Sequence, residues 1–508
     1  HMSIARPSTE LSVWGYDVPD DLGDMAGGGG MIAIHYDAAE QTADLVVGMT
    51  ISAAGGVFPY AYCCTAPTRA NDDRYYTNAD FGTLHFTDGK MLTALLGKGL
   101  SGQILGFTEW TCDSLDFTGG AVRFMGEGFK LKVNGDLKLS GKNVHLAVGG
   151  AAITNRVFHT EVWAGRQTVR LEVGGDLTVS GGARLDIRSA ETNALATVGA
   201  EVKVGRTLTV GKDGWLYAYC DCVNGGAPKF AVSNLTVSAG GLLTAEGRGF
   251  AAAAGRSNGA DDQYWNYCYR GYGPTCGFGN SAGAWAEYTF KDGTKIGAPA
   301  TGGSHGGLGG LSTIAAGNNV KYAKTSDNPW RPVLPGSGGG SEAMALHNGS
   351  GGGVIFVEAQ DHIQVDGTIN ADGGRTWSNS GATSGGAGRT IFLSSKTFAG
   401  ADTGVLTARG GDIGKEGRKK AAGAGGGGRI AVWTGEAYPG RINSRRIGKY
   451  ETAADCPDCD FLGTATASGG RNDISTLPEA TGATLNGGDG TVRFAHVGPP
   501  QGVLMIVR

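Results

Sequence analysis

Asp261 and Asp262 stand side by side at the head of ADDQYWNYCYRGYGPTCGFGNSAGAWAEYTF (260–290), which holds five Tyr, two Trp and two Phe. Adjacent carboxylates can pass protons, and flat rings with a polar rim can hold the C–H faces of sugars. Tyr264, Trp265, Tyr267, Tyr269, Arg270, Tyr272 and Trp285 are the expected binding groups there, with Trp330 further on in SDNPWRPVLPGSGGG. His305, set among glycines in TGGSHGGLGG (301–310), is a candidate general base, and Glu342 a further carboxylate. Asp372 and Arg409 come from a different pattern. They occupy the same place in GTINADGG (367–374) and GVLTARGG (404–411), as Glu246 does in GLLTAEGRG (241–249).

Two reactions fit such a set. Glycoside hydrolysis needs a pair of carboxylates, about 5–5.5 Å apart for retention and about 6.5–9.5 Å for inversion. β-Elimination on a uronic acid needs a base and a cation or metal to neutralise the substrate carboxylate. The catalytic candidates are therefore Asp261, Asp262, His305, Glu342 and Asp372, with Arg409 on the substrate. Each has a plainer reading. Asp261–Asp262 suits a solvated turn, His305 a hydrogen bond to a loop, Asp372–Arg409 a surface ion pair under about 1 kcal/mol, and the rings a mini-core of their own.

The elements that must carry these residues are strands. GDLKLSG (135–141), GDLTVSG (175–181), RTLTVGK (206–212) and SNLTVSA (233–239) start 40, 31 and 27 residues apart, and HIQVDG (362–367) shares their cadence. All alternate apolar and polar residues, the period of a half-buried strand, and most end at Gly or a small residue. GGGVIFVEA (351–359), AGRTIFLSS (387–395) and GGRIAVWTG (427–435) form a second series, interleaved with the Ala-containing motif. Helical signals are confined to the stretches around Ala39–Ala43 and Met91–Leu96.

Repeats of this length made of short strands and glycine turns predict a solenoid. Like residues of successive coils then lie about 4.8 Å apart in vertical files. Ile369 and Ala371 are expected inside, Asn370 and Asp372 outside, with Thr407 and Arg409 above or below them. Residues 1–120 read as a divergent N-terminal cap with the first coils. Residues 121–508 read as the parallel β-helix, with a loop insertion at about 250–345.

Composition narrows the class. Gly supplies 92 of 508 residues, far above the usual share of about 7%, yet without the three-residue period of collagen. A 40% hydrophobic content with 9 Trp, 17 Phe and 16 Tyr argues against disorder. The net charge of −4, with no basic stripe, argues against nucleic acid, and no apolar run is long enough to span a membrane. His1-Met2 reads as an expression remnant, so the start of the chain is silent about export. Nine cysteines, several of them in close pairs, suit short local disulfides, Cys268–Cys276 first, with one thiol left over, in an exported protein. Cys456-Pro-Asp-Cys459 has zinc-ligand spacing but no matching second pair. No cofactor is expected with certainty. Calcium stays open, because the Asp-Gly pairs lack a calcium-repeat spacing and more often mark turns.

GGSHGGLGG, LPGSGGG, VDGTINADGG and GAGGGGRIAV resemble the glycine-rich repeats of large bacterial surface proteins in the right-handed parallel β-helix (pectin-lyase-like) superfamily. The resemblance covers about residues 230–435 and implies an all-β right-handed solenoid. It also implies polysaccharide lyases, glycoside hydrolases or adhesins, with no catalytic motif to transfer. The expectation is thus a secreted or cell-surface monomer that degrades a polysaccharide lying along a groove. The alternative is a non-catalytic adhesin or structural repeat protein that binds glycans.

Overall fold

The computed structural model describes residues 10–12, 29–35, 50–55, 81–150, 152–153, 162–163, 167–192, 198–222, 224–252, 255–256, 269–270, 273–274, 288–289, 295–296, 301–310, 324–340, 349–376, 384–413, 422–435, 447–472 and 485–498. Among them the chain is all-β, with one helix, Leu92–Leu96, and long sheets of parallel strands consistent with a β-solenoid.

Each circuit of the chain visits three faces in the same order. Lys130–Val133, Leu137–Ser140 and His145–Val148 make one circuit; Val169–Val173, Leu177–Ser180 and Arg184–Arg188 make the next, in parallel register. Three longer strands, Ala200–Val210, Pro228–Val237 and Ile355–Val365, run across the first two faces, and their pairing shifts register at the corner between them. The repeated phrases stack: Leu137, Leu177, Leu208, Leu235 and Ile363 form one file, and Ile355, Ile391 and Ile430 another.

Alternation explains the core. Leu131, Leu171, Val202, Phe230, Val357 and Leu393 stack inward on the first face, Val122, Leu146, Leu185, Leu216, Leu243, Ile369 and Leu406 on the third, all essentially solvent-free. Burying each such side chain stabilises the fold by about 1.5–3 kcal/mol. Corners demand special backbone. Gly182, between the second and third faces, takes φ +93°, which a side chain would strain.

A second material joins this core. The chain leaves the third face along 371–376 and returns to the first along 384–389. It repeats the excursion along 408–413 and 422–428, then along 467–472 and 485–490. These glycine-rich runs are extended segments bonded to one another, largely buried in the first two excursions and partly exposed at 485–490. Successive N–H groups of 424–428 donate to Leu485, Gly411, Gly303, Gly488 and Ala408, at 2.7–3.0 Å. The partner strand thus recurs every third residue, as in a polyproline-type helix of three residues per turn with no internal hydrogen bonds. A Cβ on Gly425 would stand 1.8 Å from the Gly386 carbonyl oxygen, and one on Gly427 1.9 Å from that of Ala467. Only glycine lets backbones approach this closely, which accounts for much of the composition. Residues 301–310 and 335–340, inside the stretch where the strand rhythm stops, also belong to this bundle.

Candidate functional site

The outer surface of the third face carries the groups best placed for chemistry. Its strands Leu242–Thr244, Thr368–Asn370 and Val405–Thr407 pair in register, Thr244 to Asn370 to Thr407. The ladder continues past the strand ends: Ala245 and Gly247 donate to the carbonyls of Asn370 and Asp372, and Ala371 and Gly373 to those of Thr407 and Arg409, at 2.7–2.9 Å. Alternation therefore buries Ala245, Ala371 and Ala408 and sets Glu246, Asp372 and Arg409 in one outward file. Ser468 ends that file, with Ala467 buried beside it and Gly410 donating to the Ser468 carbonyl at 2.9 Å.

Asp372 sits at the centre. Its Oδ1 accepts the Thr407 hydroxyl at 2.7 Å and the Arg409 backbone N–H at 2.6 Å. Asn370 donates through Nδ2 to Glu246 Oε2 at 3.2 Å, while its own Oδ1 accepts the Asp372 N–H at 2.8 Å. Burial pushes the Asp372 carboxyl up to about 6, and repulsion from Glu246 adds to this, against the two hydrogen bonds and the Arg409 charge. Such a carboxyl keeps a proton under mildly acidic conditions and can give it up. Arg409 reaches Asp372 through its backbone; its guanidinium Nε turns to the Ser468 hydroxyl at 3.2 Å. The stacking expected from the repeated motif is present, but the expected Asp–Arg contact is made by main chain.

Two circuits toward the N-terminus from Glu246, a denser group occupies the same face. Asp186 is fully buried and accepts Arg184 Nε at 2.7 Å and Arg188 Nη2 at 3.2 Å, with His145 Nε2 at 3.0 Å. Its burial opposes ionisation, yet Arg184, His145 and Arg188 together hold the carboxyl well below the usual range. Tyr217 and Tyr219 follow in register; Arg184 lies 4.2 Å over the Tyr217 ring, and Arg188 and Arg248 lie 4.3 and 4.6 Å over that of Tyr219. Sequence reasoning did not find this cluster. Its signal was present in RLDIR at 184–188, where charges recur at every second residue of an alternating strand.

His305 is fully buried where the glycine bundle meets the first face. Its Nε2 is 3.3 Å from the Thr390 hydroxyl and its Nδ1 3.2 Å from that of Ser326. Thr390 already donates to the Leu334 carbonyl at 2.8 Å, so Nε2 carries the ring proton and Nδ1 accepts from Ser326. Burial, with the charges of Arg389 and Arg429, holds the imidazole well below its ordinary value and keeps it neutral. Trp330 packs, half-buried, against a small apolar cluster of Phe392, Trp433 and Phe356 on the first face, and its carbonyl accepts Trp433 Nε1 at 2.6 Å. His305 and Trp330 thus lie apart from the Glu246–Asp372 file in the chain's layout, on the first-face side.

Asp261, Asp262, Tyr264, Trp265, Tyr267, Tyr272, Trp285 and Glu342 lie outside the described residues, as do Cys268 and Cys276. Tyr269–Arg270 is described only as a short strand antiparallel to Gly255–Arg256. Among the described residues Cys112, Cys220, Cys222, Cys456 and Cys459 are free thiols, and no three His, Cys, Asp or Glu side chains gather as a metal site. No helix among them is long and apolar enough to cross a membrane. Comparison with protein-family models, curated proteins and solved structures returns no match.

Proposed function

We propose that the chain is a right-handed parallel β-helix that works outside the cell on an extended polysaccharide, held along the outer surface of the third face. The observation that carries this reading is the file of Glu246 and Asp372, one circuit apart, with the Asp372 carboxyl pushed up to about 6. Stacked strands bring such residues about 4.8 Å apart at Cα, a spacing from which two carboxyl groups can reach either side of a glycosidic bond. Asp372 is the proton donor in this scheme and Glu246 the ionised partner. Arg409 supplies a cation beside the acid pair, while the Tyr217 and Tyr219 rings are taken up by Arg184, Arg188 and Arg248.

The rival reading is a non-catalytic surface protein that binds glycans through the same face. It is favoured by the Thr407 and Arg409 hydrogen bonds to Asp372, which also suit a carboxylate that merely holds the ladder together. Incubation with acidic and neutral glycans separates the two. New reducing ends that vanish in Asp372→Asn and Glu246→Gln support hydrolysis, and products absorbing in the ultraviolet support elimination. Binding without any turnover sinks the enzyme reading.

A further inference from the structure

The C-terminal part of the chain carries a separate set of reactive side chains. Cys456-Pro457-Asp458-Cys459 forms a turn that leads into the strand Cys459–Phe461. Pro457 and Asp458 are exposed, whereas Cys456 and Cys459 are only 4% and 7% exposed and belong to the apolar core. Asp458 adopts φ +57°, a left-handed conformation that Asp tolerates better than most residues. The two cysteines thus lie at one depth beneath an exposed turn, near enough for Cys456 to influence ionisation of Cys459.

A polar chain runs from this pair toward solvent. The hydroxyl of fully buried Thr434 lies 3.6 Å from Cys456 Sγ and 3.4 Å from His496 Nδ1, and it donates to the Pro457 carbonyl at 2.7 Å. Asp458 Oδ2 stands 3.5 Å from the same imidazole nitrogen. Thiol, hydroxyl, imidazole and carboxylate are therefore lined up in sequence at the end of the first face. Nothing in the reading of the third face uses them.

We propose that Cys456 and Cys459 form a redox-active dithiol, in which Cys456 attacks a disulfide-bearing donor and Cys459 closes a Cys456–Cys459 disulfide. As the Thr434 hydroxyl takes the Cys456 proton it turns its own proton from the Pro457 carbonyl to His496 Nδ1, and Asp458 stabilises the imidazolium. The Cys456 thiolate attacks one sulfur of the donor; the donor S–S bond breaks and its other sulfur leaves as a thiolate. Cys459 then attacks the Cys456 sulfur of the mixed disulfide, giving its proton to the donor thiolate released in the first step, and expels the remaining donor sulfur, which takes the proton held by His496. Two electrons and two protons leave the pair, and the donor disulfide is reduced to two thiols. Burial raises both thiols above their ordinary value, Cys459 up to about 12. A base within reach of Cys456 is what such a buried thiol requires in order to attack first.

Oxidised glutathione added to the full chain tests this. Tryptic cleavage after Lys449 and Arg471 yields a peptide, 450–471, that contains Cys456 and Cys459 and no other cysteine. That peptide is expected to lose two hydrogens on oxidation and regain them with dithiothreitol. Cys459→Ser is expected to trap a glutathione adduct on Cys456, while Cys456→Ser traps none on Cys459. His496→Gln is expected to slow the first attack, read as loss of the Cys456 thiol in a Cys459→Ser background, by about tenfold or more, below the usual range for a positioned base because a thiol retains some reactivity without one. A wild-type peptide that keeps both thiols while other cysteines of the chain react overturns the proposal. So does first attack at Cys459, an unchanged rate of attack by Cys456 in His496→Gln, or a zinc ion held by the pair and released by thiol alkylation. The wild-type mass change requires no variant, so a substitution that fails to fold leaves the proposal open to refutation.

Discussion

Replacing Gly425 by Ala probes the glycine bundle at one of its tightest points. The new methyl would lie 1.8 Å from the Gly386 carbonyl oxygen and 2.5 Å from its carbon, where ordinary contact begins at 3.4 Å. Both atoms are backbone, so no flexible side chain can swing aside. Three hydrogen bonds meet here: Gly425 to Gly411 at 3.0 Å, Gly470 to Gly425 at 2.8 Å, and Gly411 to the obstructed Gly386 carbonyl at 2.8 Å. Separating the segments far enough to admit the methyl breaks all three. Each buried group left without a partner costs about 1–3 kcal/mol, so with one group lost per bond the local loss is about 3–9 kcal/mol. Gly97→Ala is the control. That glycine caps the short helix at φ −71° with nothing within 4 Å of an added Cβ, so alanine should be neutral or stabilising by up to about 1 kcal/mol. A chain of this size opens in parts, so amide hydrogen exchange resolved by peptide is the suitable assay. Peptides spanning 384–389 and 408–413 should exchange about 10²–10⁶-fold faster in Gly425→Ala, and at the wild-type rate in Gly97→Ala. Wild-type protection in Gly425→Ala would refute the close-packed backbone account.

Titration offers further checks. Asp372 has a folded pKa raised to about 6, so its ionisation opposes folding above that pH. Asp372→Asn should therefore gain up to about 2–3 kcal/mol at pH 8, a gain that disappears near pH 4, as followed by urea melts. Asp186 behaves oppositely: its carboxyl is held well below the ordinary value, so its contribution is present above the unfolded pKa and lost as pH falls through the folded one. Asp186→Asn, which leaves Arg184 and Arg188 without their carboxylate, should cost about 3–5 kcal/mol at pH 7 and less in strong acid. His305 is kept neutral by burial and two cations, so the unfolded chain takes up its proton first and stability should fall as pH drops below the ordinary histidine value. His305→Phe, which abandons the hydroxyls of Ser326 and Thr390, should lower stability by about 1–3 kcal/mol at pH 7 while flattening that pH dependence.

Side chains that alternate were readable; backbone that packs on backbone was not. The Leu and Ile of the repeated phrases announced their files, and the shared phase of Thr244, Asn370 and Thr407 announced that Glu246, Asp372 and Arg409 would stack. Glycine carries no such mark. A buried run such as 424–428 and a solvated loop have the same letters, and only the partners at every third residue tell them apart. His305 looked available because its neighbours are glycines, yet those glycines let other strands close around it. Arg409 could be placed in its file from sequence, but its use of a main-chain N–H toward Asp372 depends on a hydrogen-bond geometry that residue types do not encode.

The two materials of this fold should answer differently to temperature. Melting the stacked Leu, Ile and Val files exposes hydrocarbon and raises heat capacity, whereas melting the glycine bundle exposes chiefly peptide groups, which lowers it. Cooling weakens the first kind of cohesion and spares the second. The bundle should therefore hold a nearly even grip from cold to warm, clamping the corner between two faces whose own cohesion rises and falls with the thermometer.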